Sequence, residues 1–277
     1  MEYIEKTSDM IYNTAKECKI FNPMLAASIY ASVIYKNRGR GSSGGSDVFR
    51  ILDPNAGWGD RMIGAMVASK ATGVTVEYVG VDPNQDLEES HAKIVSRLGS
   101  TVGISAESSF KVIPLTFEDA ELFDGFDFSM TSPPLYKSEE GGKKYANYED
   151  WLAQYYIPFL KKTHDAVRIG GMIGIFIDTT VSRSSVRAEQ QRMLEITNEF
   201  FTEQGSVTVA KIGIRVDDEA SASAAVAAAS ASSRSKKPRA AAAAIISWVY
   251  LWERGNNPID VVVAASLAPP MDLAMYQ

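Results

Sequence analysis

The 277-residue chain contains one cysteine and two histidines. Cys18 has no partner for an internal disulfide and no second thiolate for a zinc site, and His91 and His164 are too few for a histidine-rich metal centre. No metal is expected. The chain also lacks an uninterrupted apolar run of membrane-spanning length. Its opening residues, MEYIEKTSDM, are acidic where a secretion signal needs a basic start and an apolar stretch. These absences predict a soluble, intracellular protein with no membrane partner. A basic excess is missing too, with 28 Lys plus Arg against 34 Asp plus Glu and a net charge of −6. That argues against binding nucleic acid over the whole surface and requires a local basic site for such a partner. What remains is ordinary globular composition, 45% hydrophobic and 22% charged, which excludes a disordered chain and suffices for a sizeable core.

Composition shifts twice along the chain. Residues 1–36 form an N-terminal helical segment, in which Asn22 and Pro23 have the character of an N-cap and first helical residue, followed by a face of Leu25, Ile29, Tyr30, Val33 and Ile34. Residues 37–46, NRGRGSSGGS, read as a Gly/Ser connector. Residues 219–244 are almost entirely Ala and Ser with Arg234, Lys236, Lys237 and Arg239 around Pro238, and read as a mobile insertion. The main domain, 47–253, alternates short apolar runs with helical patterns, and 254–277 forms a tail. Strands are predicted at 48–52, 77–81, 110–115, 126–131, 171–177, 207–214 and 245–252, with helices near 60–70, 86–98, 147–166 and 186–203. Within the third helix Trp151, Leu152, Tyr155, Tyr156, Phe159 and Leu160 form one face, and Pro158 predicts a kink. This alternation predicts an α/β fold, a doubly wound, mainly parallel seven-stranded sheet whose last two strands form an antiparallel edge hairpin.

Two strand ends carry candidate cofactor chemistry. ILDPNAGWGDRMIG (51–64) places an apolar strand before Asp53, a small-residue turn with Gly57 and Gly59, and a helix. Glycines let a ligand approach the backbone, and ligands bind open α/β sheets at the carboxyl ends of the strands. A dinucleotide fingerprint would need a glycine where Met62 stands, which disfavours a dehydrogenase. The second strand ends in Asp82, 23 residues after Gly59, where a carboxylate can accept both hydroxyls of a ribose. The bland alternative is a tight turn beside a surface aspartate. His91, in a polar helix, reads as a solvated surface histidine, and His164 as structural.

The most informative stretch is FDFSMTSPPLY (126–136), a strand ending in Thr131, Ser132, Pro133 and Pro134. Two prolines hold the chain extended and remove two backbone donors, leaving acceptors at the lip of the sheet. Acceptors suit an amine. An NH2 donating to the Ser132 oxygen and the Pro133 carbonyl would have its lone pair held out of conjugation and aimed at an electrophile.

On these residues the chain resembles the class I S-adenosylmethionine-dependent amino-methyltransferases acting on nucleobases. ILDPNAGWGDR is similar to that family's cofactor loop, YVGVD to its ribose-binding strand, and TSPPLY to its [DNS]-P-P-[aromatic] motif, the last as in phage and large-virus DNA methyltransferases carrying TSPPY. The resemblance spans residues 20–253 except the insertion. It implies S-adenosylmethionine as cofactor, with Asp53, Asn55, Ala56, Gly57, Gly59, Asp82 and Thr131 in the cofactor site. It further implies contacts from Phe21, Asn22 and Pro23 ahead of the first strand, and from Phe117, Glu118 or Asp119 at the cofactor adenine. Ser132, Pro133, Pro134 and Tyr136 would carry the chemistry, on cytosine N4 or adenine N6 in DNA, with RNA as the less favoured substrate.

One residue departs from the pattern. Leu135 stands where the family has the aromatic that stacks on the target base, and Tyr136 follows it. Either Tyr136 supplies the ring or the chain is a non-catalytic pseudo-methyltransferase that binds nucleic acid in a heteromer; a homodimer or heterodimer is compatible with both. Methylation of a protein glutamine amide is a further alternative. Lys143 and Lys144 after the motif, and Arg234, Lys236, Lys237 and Arg239 in the insertion, are the candidate phosphate contacts. Replacing those four insertion residues by Ala should weaken nucleic-acid binding. It should also flatten the salt dependence by up to about 0.9 in log–log slope per lost duplex phosphate contact. An unaltered slope in a salt titration would make the insertion a spacer.

Overall fold

The computed structural model describes residues 21–39, 48–136, 145–177, 184–215 and 245–255. Lys143, Lys144 and the basic cluster of the insertion lie outside them. Seven strands form one sheet: β1 (Val48–Asp53), β2 (Thr75–Val81), β3 (Ser109–Ile113), β4 (Phe126–Thr131), β5 (Val167–Ile177), β6 (Val207–Arg215) and β7 (Ile245–Glu253). Their order is β3-β2-β1-β4-β5-β7-β6. The pairs among β1 to β5 are parallel, whereas β7 is antiparallel to both β5 and β6. Strands β1 to β6 therefore run one way, and their carboxyl ends all lie on the same edge of the sheet. All seven predicted strands are present, as is the terminal antiparallel hairpin.

The helices are α1 (Pro23–Gly39), α2 (Asp60–Thr72), α3 (Glu88–Val102), α4 (Tyr148–Trp151), α5 (Ile157–Ala166) and α6 (Ser184–Glu203). Asn22 caps α1 as expected, its Oδ1 accepting from the Met24 and Leu25 backbone N–H groups at 2.9 and 3.3 Å. The helix runs to Gly39, three residues into the stretch read as a connector, because Asn37 and its neighbours still sit over β5.

Alternation along the strands divides the core. Ile51, Tyr78 and Leu251 face a cluster covered by α1 and α2, while their neighbours Leu52, Val79 and Tyr250 face another, covered by residues 148–166 and α6. The second cover explains an irregularity. Its buried residues, Trp151, Leu152, Tyr155, Tyr156, Phe159 and Leu160, recur every four positions. On a straight α-helix that spacing drifts by about 40° per step. A π-helical turn at Leu152–Tyr156, in which the Ile157 N–H donates to the Leu152 carbonyl, widens the helix there and returns the stripe to the sheet. Pro158, which cannot donate to the preceding turn, follows directly, so the expected kink takes the form of this π turn.

Helices α1 and α2 meet backbone to backbone at Gly64. A Cβ there would stand 2.5 Å from the Ala26 Cβ, 2.8 Å from the Pro23 carbonyl oxygen and 2.9 Å from the Ala27 nitrogen. Two of these are backbone atoms that cannot swing aside, so Gly64→Ala must push the helices apart. We expect a loss of about 1–3 kcal/mol in urea denaturation despite the better helix propensity of alanine; equal or greater stability would show that the two helices are free to separate.

Candidate active site at the carboxyl edge

Strand β1 delivers Asp53 to the carboxyl edge, and the chain turns through residues 54–59 into α2. Asp53 is fully buried. Arg61, in the first turn of α2, donates from Nε to Oδ2 at 2.8 Å and from Nη2 to Oδ1 at 3.1 Å, and also bonds the Asn55 carbonyl. The Tyr78 hydroxyl donates to Oδ2 at 2.7 Å, and the Asn55 N–H to Oδ1 at 3.3 Å. Arg61 also lies over the Phe21 ring, 5.6 Å from its centroid. Burial alone would favour the neutral guanidine, but the Asp53 carboxylate holds the Arg61 pKa above its ordinary value. Burial, and then the Asp53 charge, raise the hydroxyls of Tyr30 and Tyr78 well above theirs, so both stay protonated.

The loop above this pair is shaped by backbone. Gly57 and Gly59 take positive φ values of 54° and 89°, which a side chain would strain. The Gly57 N–H donates to Asp82 Oδ2 at 2.8 Å and the Ala56 N–H to the Val81 carbonyl at 2.9 Å, binding the loop to the end of β2. Asp82 Oδ1 accepts from Asn84 N–H at 2.9 Å. Each oxygen of Asp82 thus keeps a lone pair for a ligand hydroxyl. Among the described residues no heavy atom lies within 4 Å of where a Gly57 Cβ would be, so they leave the loop open on that side. Trp58, between the two glycines, is 53% exposed.

Strand β4, beside β1, brings the Ser-Pro-Pro motif to the same edge. The Thr131 hydroxyl donates to Asn55 Oδ1 at 3.2 Å, joining the two loops directly. Ser132 and Pro134 are half-buried and Pro133 is buried. The Tyr155 hydroxyl comes close to the Asn55 side chain; burial raises its pKa, Asn55 offsets part of that rise, and Glu118 adds a smaller one. Tyr145, half-buried, stands 6.5 Å from the Tyr155 ring and is likewise raised by burial and then by Glu118. Tyr136 packs edge-on to Tyr148, with centroids 5.6 Å apart, and lies 6.2 Å from Trp151.

The residues singled out in the sequence therefore fall into two groups. Asn55, Ala56, Gly57, Gly59, Asp82, Thr131, Ser132, Pro133 and Pro134 gather at one edge. Asp53 lies beneath the loop with its oxygens engaged, and Phe21 packs on Arg61 and, edge-on at 5.5 Å, on Phe176. Asn22 is spent on the α1 cap, and the Pro23 carbonyl faces Gly64. Phe117 is buried against Phe159 under Lys162, Asp119 closes a local turn with Thr116, and Glu118 is exposed towards the tyrosines.

His91 corrects the sequence reading. It is 5% exposed rather than solvated, because its Nε2 lies 2.8 Å from the Gly57 carbonyl and its ring packs under Gly59. The sequence also passed over Arg61, Tyr78, Tyr145 and Tyr155. Arg61 was detectable in principle as a cation at the start of the helix that follows an acidic strand end, eight residues after Asp53. His164 is structural as expected, with burial and then Arg254 lowering its pKa. Among the described residues no helix is long and apolar enough to cross a membrane.

No family model matches the chain, and no curated protein matches it. Solved structures do. A Listeria monocytogenes protein described as a class I S-adenosylmethionine-dependent methyltransferase aligns over 98% of this chain and 71% of its own, with a TM-score of 0.52 and 14% identity. The N-methyltransferase NodS from Bradyrhizobium japonicum aligns over 82% of this chain and 95% of its own, with a TM-score of 0.44 and 9% identity. A Clostridium thermocellum protein described as an rRNA methylase aligns over 74% and 88%, with a TM-score of 0.39 and 12% identity. The first likeness establishes the fold: this is the Rossmann-like fold of the class I methyltransferases.

The buried ion pair yields a stability test. Arg61→Met leaves the Asp53 carboxylate without its cation and should cost about 3–5 kcal/mol in chemical denaturation, whereas Arg61→Met combined with Asp53→Leu should recover most of the loss. A single-variant loss below about 1 kcal/mol would mean that the pair does not anchor the loop.

Proposed function

We propose that the protein is an S-adenosylmethionine-dependent methyltransferase acting on an exocyclic amine of a nucleobase, cytosine N4 or adenine N6, in DNA. One observation carries this reading: the Thr131–Asn55 hydrogen bond holds the Ser-Pro-Pro acceptors against the glycine loop. An amine donor and a nucleoside-type cofactor would then meet over a single pair of adjacent strands. The chain's residues fit the cofactor: the space beside Gly57 admits a ligand against the backbone, and Asp82 offers free lone pairs at the end of β2.

When bound, S-adenosylmethionine supplies an electrophilic methyl group on a sulfonium centre. The protein's part is orientation. The Ser132 hydroxyl oxygen and the Pro133 carbonyl accept the two amine N–H bonds, which turns the nitrogen lone pair towards the glycine loop. After transfer the surplus proton leaves past Ser132 to solvent. Asp82 holds the ribose hydroxyls, and Glu118 faces the adenine end of the same edge. A duplex base reaches this site only when flipped out of its stack, and the rings of Tyr136 and Tyr145 line the approach.

Mass spectrometry of nucleosides from DNA and RNA incubated with the protein and isotopically labelled cofactor tests the reading. Labelled N4-methylcytosine or N6-methyladenine is expected from DNA, and Ser132→Ala should lower turnover about 10- to 100-fold while cofactor affinity holds. Cofactor binding without transfer to any nucleic acid would favour the binding-subunit reading that Leu135 raises, and labelled protein glutamine would redirect the assignment.

A further inference from the structure

His91 is a buried polar side chain at this edge that the reaction above does not use. It lies in the first turn of α3, the helix that follows β2, yet its hydrogen bond leaves that helix and crosses to the loop after β1: Nε2 lies 2.8 Å from the Gly57 carbonyl oxygen. A carbonyl only accepts, so Nε2 carries the proton. Gly57 is also held through its own N–H by Asp82 at 2.8 Å. Both polar groups of one glycine are thus fixed, from two different elements, at a φ of 54°. The His91 ring also supports the next glycine, its Cδ2 lying 3.3 Å from where a Gly59 Cβ would be, beside the Ile94 Cδ1 at 3.2 Å.

We infer that His91 is a positioning residue for the cofactor loop, holding Gly57 in its left-handed conformation so that the loop is set before a ligand arrives. The inference rests on the cofactor reading of that loop. Glycine has more backbone freedom to lose than any other residue, and a glycine loop that is ordered only on binding spends affinity on its own ordering. His91 removes that cost from one side while Asp82, needed at the ribose, removes it from the other. Because no heavy atom of the described residues lies within 4 Å on the side of Gly57 where a Cβ would project, the clamp stabilises the loop without filling the space a ligand would take.

Two substitutions separate the hydrogen bond from packing. His91→Phe keeps a ring and removes the donor; His91→Gln keeps a donor of similar reach. Two readouts are taken on each: amide hydrogen exchange of the ligand-free protein at Gly57–Asp60, and calorimetric affinity for S-adenosylmethionine. With His91→Phe we expect exchange in the loop to rise about 3- to 10-fold, and the Kd by about the same factor, for the loss of one hydrogen bond. Ile173 and Ile175 of β5 should be unchanged. With His91→Gln both readouts should stay within about twofold of wild type. Loop exchange unchanged in His91→Phe overturns the inference, as does a rise shared equally by β5, which would mark a general structural role. Faster loop exchange at constant Kd overturns it too. If the wild-type protein binds no S-adenosylmethionine, the cofactor reading fails by itself, and loop exchange alone decides whether His91 holds Gly57.

Discussion

The carboxyl edge of this protein is organised by one buried ion pair. Asp53 closes β1, Arg61 opens α2, Tyr78 reaches across from β2, and Phe21 brings the start of α1 onto the guanidinium. Four elements thus meet at one ion pair. Such a pair is an expensive way to gain stability, since desolvating two charges offsets most of their attraction and well-packed apolar residues often do as well. Its return here is geometric. Apolar packing fixes distance but tolerates rotation, whereas a two-pronged Arg–carboxylate contact fixes direction as well. The Arg61 guanidinium also holds the Asn55 carbonyl, so the direction imposed at Asp53 passes to the residue that bonds Thr131.

Asn55 is where the two halves of the site become one. On one side it belongs to the loop anchored by Asp53; on the other it receives Thr131 from β4 and meets Tyr155 from the aromatic cover. The position of Tyr155 depends in turn on the π turn, because a regular α-helix would rotate the four-residue stripe away from the sheet by the time it reached Phe159 and Leu160. An irregularity in helix geometry and a side-chain contact at the site are therefore linked. A change that straightened the helix would move Tyr155 off Asn55 before it disturbed the buried core.

Periodicity made most of the fold legible in the sequence. Every strand announced itself as a short apolar run, and the terminal hairpin followed from two runs with no helical pattern between them. Strand ends then located the site, because Asp53, Asp82 and Ser132 each stop an apolar run and a parallel sheet places such stops on one edge. Periodicity could not say which way a polar residue at that edge points. Asp53 and Asp82 look alike in sequence, each an acid after an apolar strand, and both are buried, yet Asp53 is sealed under the loop against a cation whereas Asp82 accepts only backbone N–H groups of the loops around it. The difference lies in Arg61 and Tyr78, which are contacts across the fold. His91 was misread for the same reason. Its neighbours Glu88, Glu89, Ser90 and Lys93 make the helix look solvated, and Gly57, in the loop that covers the imidazole, comes 34 residues earlier in sequence.

Leu135 and Tyr136 take a different meaning in three dimensions. In an extended strand consecutive side chains point to opposite sides, so Tyr136 could not stand in for a ring at position 135. After Pro134 the chain is no longer extended in that way. Both Leu135 and Tyr136 pack against the same aromatic cluster, and Tyr136 lies at a turn with its ring edge-on to Tyr148. The turn brings the second residue round to the side of the first. Tyr148 and Trp151 then brace the Tyr136 ring from the aromatic cover, as a stacking platform requires, since a base gains most from a ring that has no freedom left to lose. Leu135 is thus followed one position later by a ring that its neighbours already orient.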